Sequence, residues 1–341
     1  MLTLAAALEV LGGFRTGLHD AADVISSPLL AVDVTSPGDP AELEVPTGFP
    51  AVVVAVAGSS APLLSSRGPD VALSAVAHPP APWVRVADPE EALDQIWDRV
   101  ASAPGAAVTL AEVLRAGRGR SVEEGLVLES LAYSMLQAGP EFARWRAGRP
   151  ARPARPEAAP PVLTNRSGQT IEITLNRPEV HNAYNRAMRD ELCQILAVAA
   201  ADPECRVVLA GAGPSFCSGG DLDEFGTSPD PVSAHLVRSG RSPARFLAGL
   251  AGRTEAVVHG SCAGSGIELP AFAGTVRARP GTRMWLPEVA MGLIPGAGGT
   301  VSLARRIGPG RTAWMGLSGQ PVDTDTALRW GLIDAVLPVP G

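Results

Sequence analysis

The stretch TEAVVHGSCAGSGIELPAFAG, residues 254–274, joins a strand pattern to a helix start through a turn of small residues. Its first part is short and rich in valine, which is typical of a buried strand. Residues 263–266 then form a tight entry to a helix, and the first N–H groups of a helix have no partner within it. Glu268 is the one charged side chain of residues 260–274. Because a buried carboxylate is costly unless something uses or neutralises it, Glu268 is a candidate functional group.

The same alternation of patterns runs through the rest of the second half. QTIEITLNRP (169–178) and RVVLAGAG (206–213) are typical strands, and residues 186–200 between them show a helical pattern. Strand, crossover helix and strand in succession predict an α/β layered fold.

The first half of the chain is less regular. Residues 28–34 and 49–58 are predicted to be buried strands, and residues from about 88 to 147 are predicted to be mostly helical. Asp88 and Ser121 are suitable capping residues, since acidic side chains follow each of them in the first turn.

A proline-rich segment, GRPARPARPEAAPP (148–161), separates the two halves. Repeated proline prevents a continuous helix or ladder and favours an extended linker. We therefore expect two units, residues 1–147 and 162–341, joined by this linker.

Composition narrows the range of partners. The 341-residue chain is 46% hydrophobic and has a net charge of −7, and its basic residues, all arginine, are scattered. This distribution favours small molecules or protein over nucleic acid or a membrane surface. The four cysteines have no CxxC spacing, and the N-terminus lacks a basic leader, so no zinc site is indicated and a cytoplasmic location is expected.

Two further segments of the second half suggest a site together with Glu268. PSFCSGGDLDEF (214–225) is a glycine turn after a strand, where Gly220 would let a ligand approach the backbone N–H. MWLPEVAMGLIPGAGGT (284–300) places Glu288 ahead of another glycine-rich turn. Two carboxylates in one pocket push their pKa values apart, which can leave one as an acid and the other as a base.

These motifs resemble the signature of the crotonase (enoyl-CoA hydratase/isomerase) superfamily. The matching segments, in family order, are RPEVHNAYN (177–185), FCSGGDL (216–222), GSGIEL (264–269) and LPEVAMGLIPGAGGT (286–300). The resemblance covers about residues 162–338 and implies an α/β, crotonase-like (ClpP/crotonase) layered β-β-α superhelix, with an additional helical segment from the N-terminal half.

The resemblance also implies the chemistry. The N–H groups of Gly220 and Ser265 would hold the oxygen of a thioester enolate, Glu268 would activate water, and Glu288 would exchange the α-proton. It implies no cofactor other than the coenzyme A of the substrate, and no metal. The residues implied to bind the CoA moiety are Val180, His181, Ala183, Gly219, Asp221, Leu222 and Gly264. Two preorganised N–H donors in a dry site each lower the barrier by about 3 kcal/mol, which agrees with this assignment.

Three functions remain open at this point. The leading one is hydration of a 2-enoyl-CoA. The second is other acyl-CoA enolate chemistry, such as isomerisation, hydrolysis or dioxygenation, with one glutamate acting alone. The third is a non-catalytic acyl-CoA-binding subunit, in which Glu268 would simply cap a helix.

Two departures from the family pattern lead to structural expectations. Trp285 stands where a small residue is usual, and its indole is expected to line or back the acyl pocket. The matched region lacks the family's helical tail after residue 338, whereas residues 83–149 resemble that tail. We therefore expect the first half to be a degenerate crotonase unit whose helices, between about residues 88 and 146, cover the site, within a homo-oligomer (trimer or hexamer).

Overall fold

The computed structural model describes residues 1–15, 27–149 and 159–338, and it contains one large sheet in each half of the chain. Most of the predicted linker, residues 150–158, lies outside the described residues. Among the residues described, no helix is both long enough and apolar enough to cross a membrane.

The sheet of the first half has five strands that are all parallel and follow one another in chain order. They are β1 (Leu2–Thr3), β2 (Leu29–Asp33), β3 (Val52–Ala57), β4 (Val71–Ser74) and β5 (Val84–Arg85). The strands predicted at 28–34 and 49–58 are confirmed as β2 and β3. The sequence analysis missed β1, β4 and β5, because strands of two to four residues are too short to show a period of alternation.

Two of the helices of the first half, those after Asp88 and Ser121, begin where their capping residues predict. The helices of the first half are α1 (Leu4–Arg15), α2 (Pro89–Ser102), α3 (Pro104–Ala116), α4 (Val122–Gln137) and α5 (Pro140–Ala147). The Asp88 carboxylate accepts from the N–H groups of Glu90 and Glu91 at the start of α2. Ser121 and Glu124 form a reciprocal capping box at the start of α4.

The second half contains a six-stranded sheet and a small two-stranded one. The six strands, in spatial order, are β13 (Ala335–Val336), β11 (Thr275–Ala278), β9 (Thr254–Val258), β8 (Arg206–Gly211), β7 (Thr170–Leu175) and β6 (Val162–Ser167). All neighbours are parallel except β6 and β7. The small sheet pairs β10 (Ser261–Ala263) with β12 (Arg283–Trp285) in parallel.

The helices of the second half surround these sheets. They are α6 (Arg186–Ala201), α7 (Pro231–Gly240), α8 (Pro243–Gly249), α9 (Ser265–Glu268), α10 (Gly299–Ile307), α11 (Pro309–Ser318) and α12 (Thr324–Trp330). The helix predicted after Gly264 is the single turn α9, and Pro270 begins a separate 3₁₀ turn instead of lying inside a longer helix. Pro270 has no N–H with which to continue the helical ladder.

The helices of the first half pack against the second half, as predicted. The sequence left open whether they do so in the same chain or in a neighbouring one, and the structure shows the packing within one chain. Ile96 of α2 and Leu110 of α3 share one apolar core with Val289 and Leu317. Helix α4 crosses α10 closely enough that a Cβ added at Gly125 would lie 2.7 Å from Val301 Cγ2. This packing places α4 over the ends of the motifs identified in the sequence.

Candidate active site

A cavity of about 190 Å³ lies between α4 and the second half. The four residues predicted to be catalytic, Gly220, Ser265, Glu268 and Glu288, all line it. Helix α4 supplies part of the opposite wall through Leu126, Val127, Glu129, Ser130, Tyr133 and Gln137. The cavity is therefore built by both halves of one chain.

Two backbone N–H groups at the cavity are available to a ligand. Ser265 is the first residue of α9, so its N–H has no intrahelical partner. Neither the Ser265 N–H nor the Gly220 N–H forms a hydrogen bond with the residues described. A β-bridge between the backbones of Cys217 and Cys262 holds the two turns side by side. The arrangement suits an oxygen that develops negative charge.

The two carboxylates predicted to act together meet around Gly264. Glu268 and Glu288 are only 2% and 7% exposed. A Cβ added at Gly264 would lie 2.2 Å from Glu288 Oε1 and 3.6 Å from Glu268 Oε1. Gly264 also has a left-handed φ of +48°. Only glycine permits both this backbone turn and the close approach of the carboxylates.

The two carboxylates differ in their hydrogen bonding. Glu268 Oε2 accepts from the N–H groups of Ala297 and Gly299, each at 2.8 Å, whereas Oε1 forms no hydrogen bond with the described residues. Glu288 Oε2 is buried and has no hydrogen-bond partner in the described part of the chain. Glu268 Oε2 therefore caps a helix, but this helix is α10 and not α9, to which Glu268 belongs. Glu268 Oε1 remains available to take part in a reaction.

Glu129 is a third buried carboxylate, and the sequence interpretation missed it. Its Oε1 accepts from Gly298 N–H at 2.7 Å, and its Oε2 accepts from the N–H and the hydroxyl of Thr300 at 2.9 and 2.7 Å. Glu129 and Glu268 thus share the start of α10. Glu129 is the one charge in LVLESLAYSML (126–136), the same signal that singled out Glu268.

Burial raises the pKa of all three carboxyl groups. The pKa of Glu288 is raised to about 8 and that of Glu129 to about 7, in both cases mainly by burial. The pKa of Glu268 is raised well above its ordinary value by burial, and further by the charges of Glu288 and Glu129, against the opposing N–H groups of Ala297 and Gly299. At neutral pH the cluster therefore retains at least part of its protons, so an acid and a base can coexist.

A groove adjoins the cavity and contains four of the seven residues predicted to bind the CoA moiety. Val180, Ala183, Asp221 and Leu222 line it, and Gly220, Asp221 and Glu224 belong to both the groove and the cavity. Asp221 Oδ2 lies 3.0 Å from Arg177 Nη1, which fixes this shared wall.

The other three predicted CoA-binding residues do not line the groove. His181 Nδ1 lies 3.1 Å from Ser215 Oγ, and His181 has a left-handed φ of +54°. The Gly219 carbonyl accepts from Tyr184 N–H, so it positions Gly220. Gly264 lies at the glutamate pair instead of the groove. These three residues lie outside the groove wall, and their contact with CoA stays a prediction.

Trp285 contributes its backbone to the site. Its carbonyl accepts from Gly264 N–H at 3.0 Å, whereas the indole is not part of the cavity wall. The indole therefore does not line the cavity, and the expectation that it backs the acyl pocket stays a prediction. Within the described ranges, no group of three or more His, Cys, Asp or Glu side chains is arranged to hold a metal ion.

Comparison with known proteins agrees with the site. The family model described as enoyl-CoA hydratase/isomerase matches residues 165–340. The chain belongs to this family, which has the crotonase-like α/β fold.

Individual relatives match about half of the chain. The 2,3-dehydroadipyl-CoA hydratase of Escherichia coli is 33% identical over 178 residues, which is 52% of this chain and 69% of that protein. The mevalonyl-coenzyme A hydratase of Beauveria bassiana is 32% identical over 180 residues, which is 50% of this chain and 64% of that protein. The crystal structure of an enoyl-CoA hydratase from Bacillus anthracis is 30% identical with a TM-score of 0.48, covering 52% of this chain and 70% of that one.

Proposed function

We propose that the protein is an enoyl-CoA hydratase-like enzyme that adds water across the double bond of a 2-enoyl-CoA. One observation carries the proposal: two buried carboxylates converge at Gly264, beside the unoccupied N–H groups of Gly220 and Ser265, within one cavity. Family membership and the names of the relatives, several of them hydratases, support it.

In this mechanism the thioester oxygen of the substrate accepts from the N–H groups of Gly220 and Ser265. Glu268 Oε1 takes a proton from water as the water oxygen bonds to the β-carbon, and the electron pair of the double bond moves onto the thioester as an enolate. Glu288 then donates its proton to the α-carbon. Burial raises the pKa of both Glu268 and Glu288, so the pair retains a proton near pH 7. The N–H groups of Ala297 and Gly299 favour the charged form of Glu268 within the pair, and we assign the retained proton to Glu288.

The groove and the first half serve this reaction. We assign CoA binding to the groove that contains Val180, Ala183, Asp221 and Leu222, where Arg149 and Arg186 would attract phosphates. Helix α4 covers the cavity and excludes water, which strengthens the electrostatic effect of the two N–H donors.

We also propose the domain arrangement expected from the sequence. Residues 1–147 are a degenerate crotonase-like unit with tail-type helices, residues 148–161 are a linker, and residues 162–341 are the core that carries the site. The all-parallel order of β1 to β5, followed by helices that pack onto the second half, supports this division.

A homo-oligomer, trimeric or hexameric, and a cytoplasmic location complete the proposal. Val127, Leu131 and Met135 form an exposed apolar face on α4, and Val232 and Leu236 form another on α7, which packs against α4. Exposed apolar faces of this kind are typical of protein interfaces. The free thiols of Cys193, Cys205, Cys217 and Cys262 suit a reducing compartment.

Isomerisation of the double bond is a second candidate, because Glu288 Oε2 has no hydrogen-bond partner among the described residues and Glu288 could move a proton alone. One experiment separates the candidates. The purified full chain is given a panel of 2-enoyl-CoA and 3-enoyl-CoA thioesters in ¹⁸O-labelled water, and the products are identified by mass. We expect loss of the conjugated absorbance of the 2-enoyl-CoA and a labelled 3-hydroxyacyl-CoA. Conversion of 3-enoyl-CoA without label would establish isomerisation, and binding without turnover would indicate a non-catalytic subunit.

A further inference from the structure

Arg238 of α7 lines the cavity and is held there by side chains of α4. Its Nε donates to Ser130 Oγ at 3.2 Å, its Nη1 donates to Gln137 Oε1 at 3.3 Å, and its Nη2 donates to the Ser130 carbonyl at 3.3 Å and to Ser134 Oγ. A guanidinium has five N–H donors, so these four bonds leave one on Nη1. The guanidinium is therefore fixed in place and still able to bind a ligand.

Arg238 differs from the other arginines around the cavity in its partners. Each of the other four has a carboxylate within 4.0 Å, in the pairs Arg186–Glu224, Arg189–Asp190, Arg241–Asp190 and Arg245–Glu123. The hydrogen-bond acceptors of Arg238 among the described residues are all neutral. The carboxylate of Glu129, on the helix that holds Arg238, already accepts through both of its oxygens from Gly298 and Thr300. The cavity wall thus carries a partly buried cation that donates no hydrogen bond to a carboxylate of the described residues, although the charge of Glu129 acts on it at longer range.

A chain of contacts places Arg238 close to the reacting centre. Arg238 Cζ lies 4.6 Å from the centre of the Tyr133 ring. That ring lies against Gly296, where an added Cβ would be 2.5 Å from Tyr133 Cε2, and the next residue, Ala297, binds Glu268. Arg238 is therefore about one aromatic ring away from the glutamate pair. It lines the cavity and not the groove assigned to CoA, so it faces the acyl part of a substrate.

We propose that Arg238 binds a carboxylate at the far end of the acyl chain, so that the substrate is the 2-enoyl-CoA of a short dicarboxylic acid. This inference rests on the proposed function and adds the substrate class. A purely aliphatic chain would cover the guanidinium and remove water from it without supplying a partner, which is unfavourable. A terminal carboxylate would instead gain a charge-assisted hydrogen bond from the remaining N–H.

A matched pair of substrates tests the proposal. 2-Hexenedioyl-CoA and 2-hexenoyl-CoA have the same chain length and differ in a terminal carboxylate against a methyl group. We expect the full chain to hydrate the dicarboxylic substrate with a kcat/KM at least about tenfold higher, since one hydrogen bond between charged groups, which the methyl group cannot form, contributes a factor of about ten or more. Arg238→Gln should reduce kcat/KM for 2-hexenedioyl-CoA at least about tenfold more than for 2-hexenoyl-CoA, through KM.

Two further variants keep the test decisive. Arg241→Gln removes a cavity arginine that already has a carboxylate partner, and it should retain the preference. Arg238→Lys keeps the charge and should retain part of the preference if Arg238→Gln does not fold. Equal kcat/KM for the two substrates in the wild type, or an equal loss for both in Arg238→Gln, would overturn the proposal.

Binding separates this inference from the proposed hydration. If neither substrate is hydrated, the proposed function fails. The affinities of adipyl-CoA and hexanoyl-CoA for the protein, measured by competition, still test the role of Arg238. Tighter binding of adipyl-CoA, reduced in Arg238→Gln, would support the inference. Equal affinities would contradict it.

Discussion

Two helices begin at the cavity, α9 and α10, and each follows a glycine with positive φ, +48° at Gly264 and +106° at Gly298. At α10 the protein supplies the anions, because Glu129 and Glu268 accept from the N–H groups of residues 297–300. At α9 the N–H of Ser265 has no partner among the described residues. The difference shows how one local structure serves two purposes. A helix start filled by the protein's own carboxylates fixes the site, whereas the start left empty can bind the substrate oxygen.

The largest effect should come from Glu268 and Glu288, the two carboxylates that lie next to the start of α9. Glu268→Gln and Glu288→Gln should each lower kcat at least about a hundredfold while acyl-CoA still binds, because loss of one acid or base typically costs 10²–10⁴ in rate. Glu172→Gln, an exposed acid on β7, serves as the control and should leave kcat unchanged. Steady-state hydration assays measure all three. Near-normal hydration by either active-site variant would rule out a mechanism with two carboxylates.

The second effect concerns the space between the carboxylates. Gly264→Ala should reduce kcat by roughly tenfold to a hundredfold, since the new methyl group would meet Glu288 Oε1 at 2.2 Å and push it out of position. Gly281→Ala is the matched control, because Gly281 also has a positive φ, +78°, but no atom lies within 4 Å of an added Cβ. If both variants lose activity and stability to the same extent, backbone strain alone explains the glycine, and the convergence of the carboxylates does not matter.

The third effect concerns Glu129, which accepts from N–H groups at the start of α10. Glu129→Gln should lower kcat about tenfold and the free energy of unfolding by about 1–3 kcal/mol, because it removes a buried acceptor from α10. The control is Glu141→Gln, which removes a carboxylate that accepts from the N–H groups of Gly105 and Ala106 at the start of α3, away from the cavity. We expect Glu141→Gln to affect stability alone. Thermal unfolding and hydration assays on the two variants would contradict the account if Glu129→Gln behaved like its control.

The smallest effect is a pH dependence of stability. Glu129 and Glu288 have a pKa of about 7 and about 8 in the folded protein, whereas an unfolded glutamate titrates near its ordinary value, so the folded state binds more protons between these limits. Stability should therefore be greatest at the acidic end of this window and fall as pH rises through about 7 to 8. Denaturant titrations at several pH values measure it, and Glu288→Gln should flatten the slope. A free energy of unfolding that rises from pH 6 to pH 8.5 would contradict the burial of these groups.

The parts of this molecule that were predictable from sequence are those encoded within short segments. Gly220, Ser265, Glu268 and Glu288 each lie in or beside a glycine-rich turn, and the structure brings all four to one cavity. Their joint position followed from the family resemblance, since spacing alone does not show that three separate turns converge.

What the sequence could not show depends on contacts between distant residues. Glu129 binds a helix start 169 positions away, and Arg238 is held by side chains more than 100 positions earlier. No local pattern encodes such pairs, although the isolated charge of Glu129 was a signal. Trp285 lies on a strand of three residues, and alternation over so short a strand cannot decide whether its indole lines the pocket or lies behind it.

The central claim is that both halves of one chain build a single active site. A protease site inserted within residues 150–158 allows the folded protein to be cut there, and the two pieces can then be tested together and after separation. We expect the cut protein to remain associated with nearly full hydratase activity, since the halves share an apolar core. The separated second piece should lose activity at least about a hundredfold, because it lacks Glu129 and the wall of α4. Adding the first piece back should restore it. A separated second piece that is folded and fully active would contradict the account.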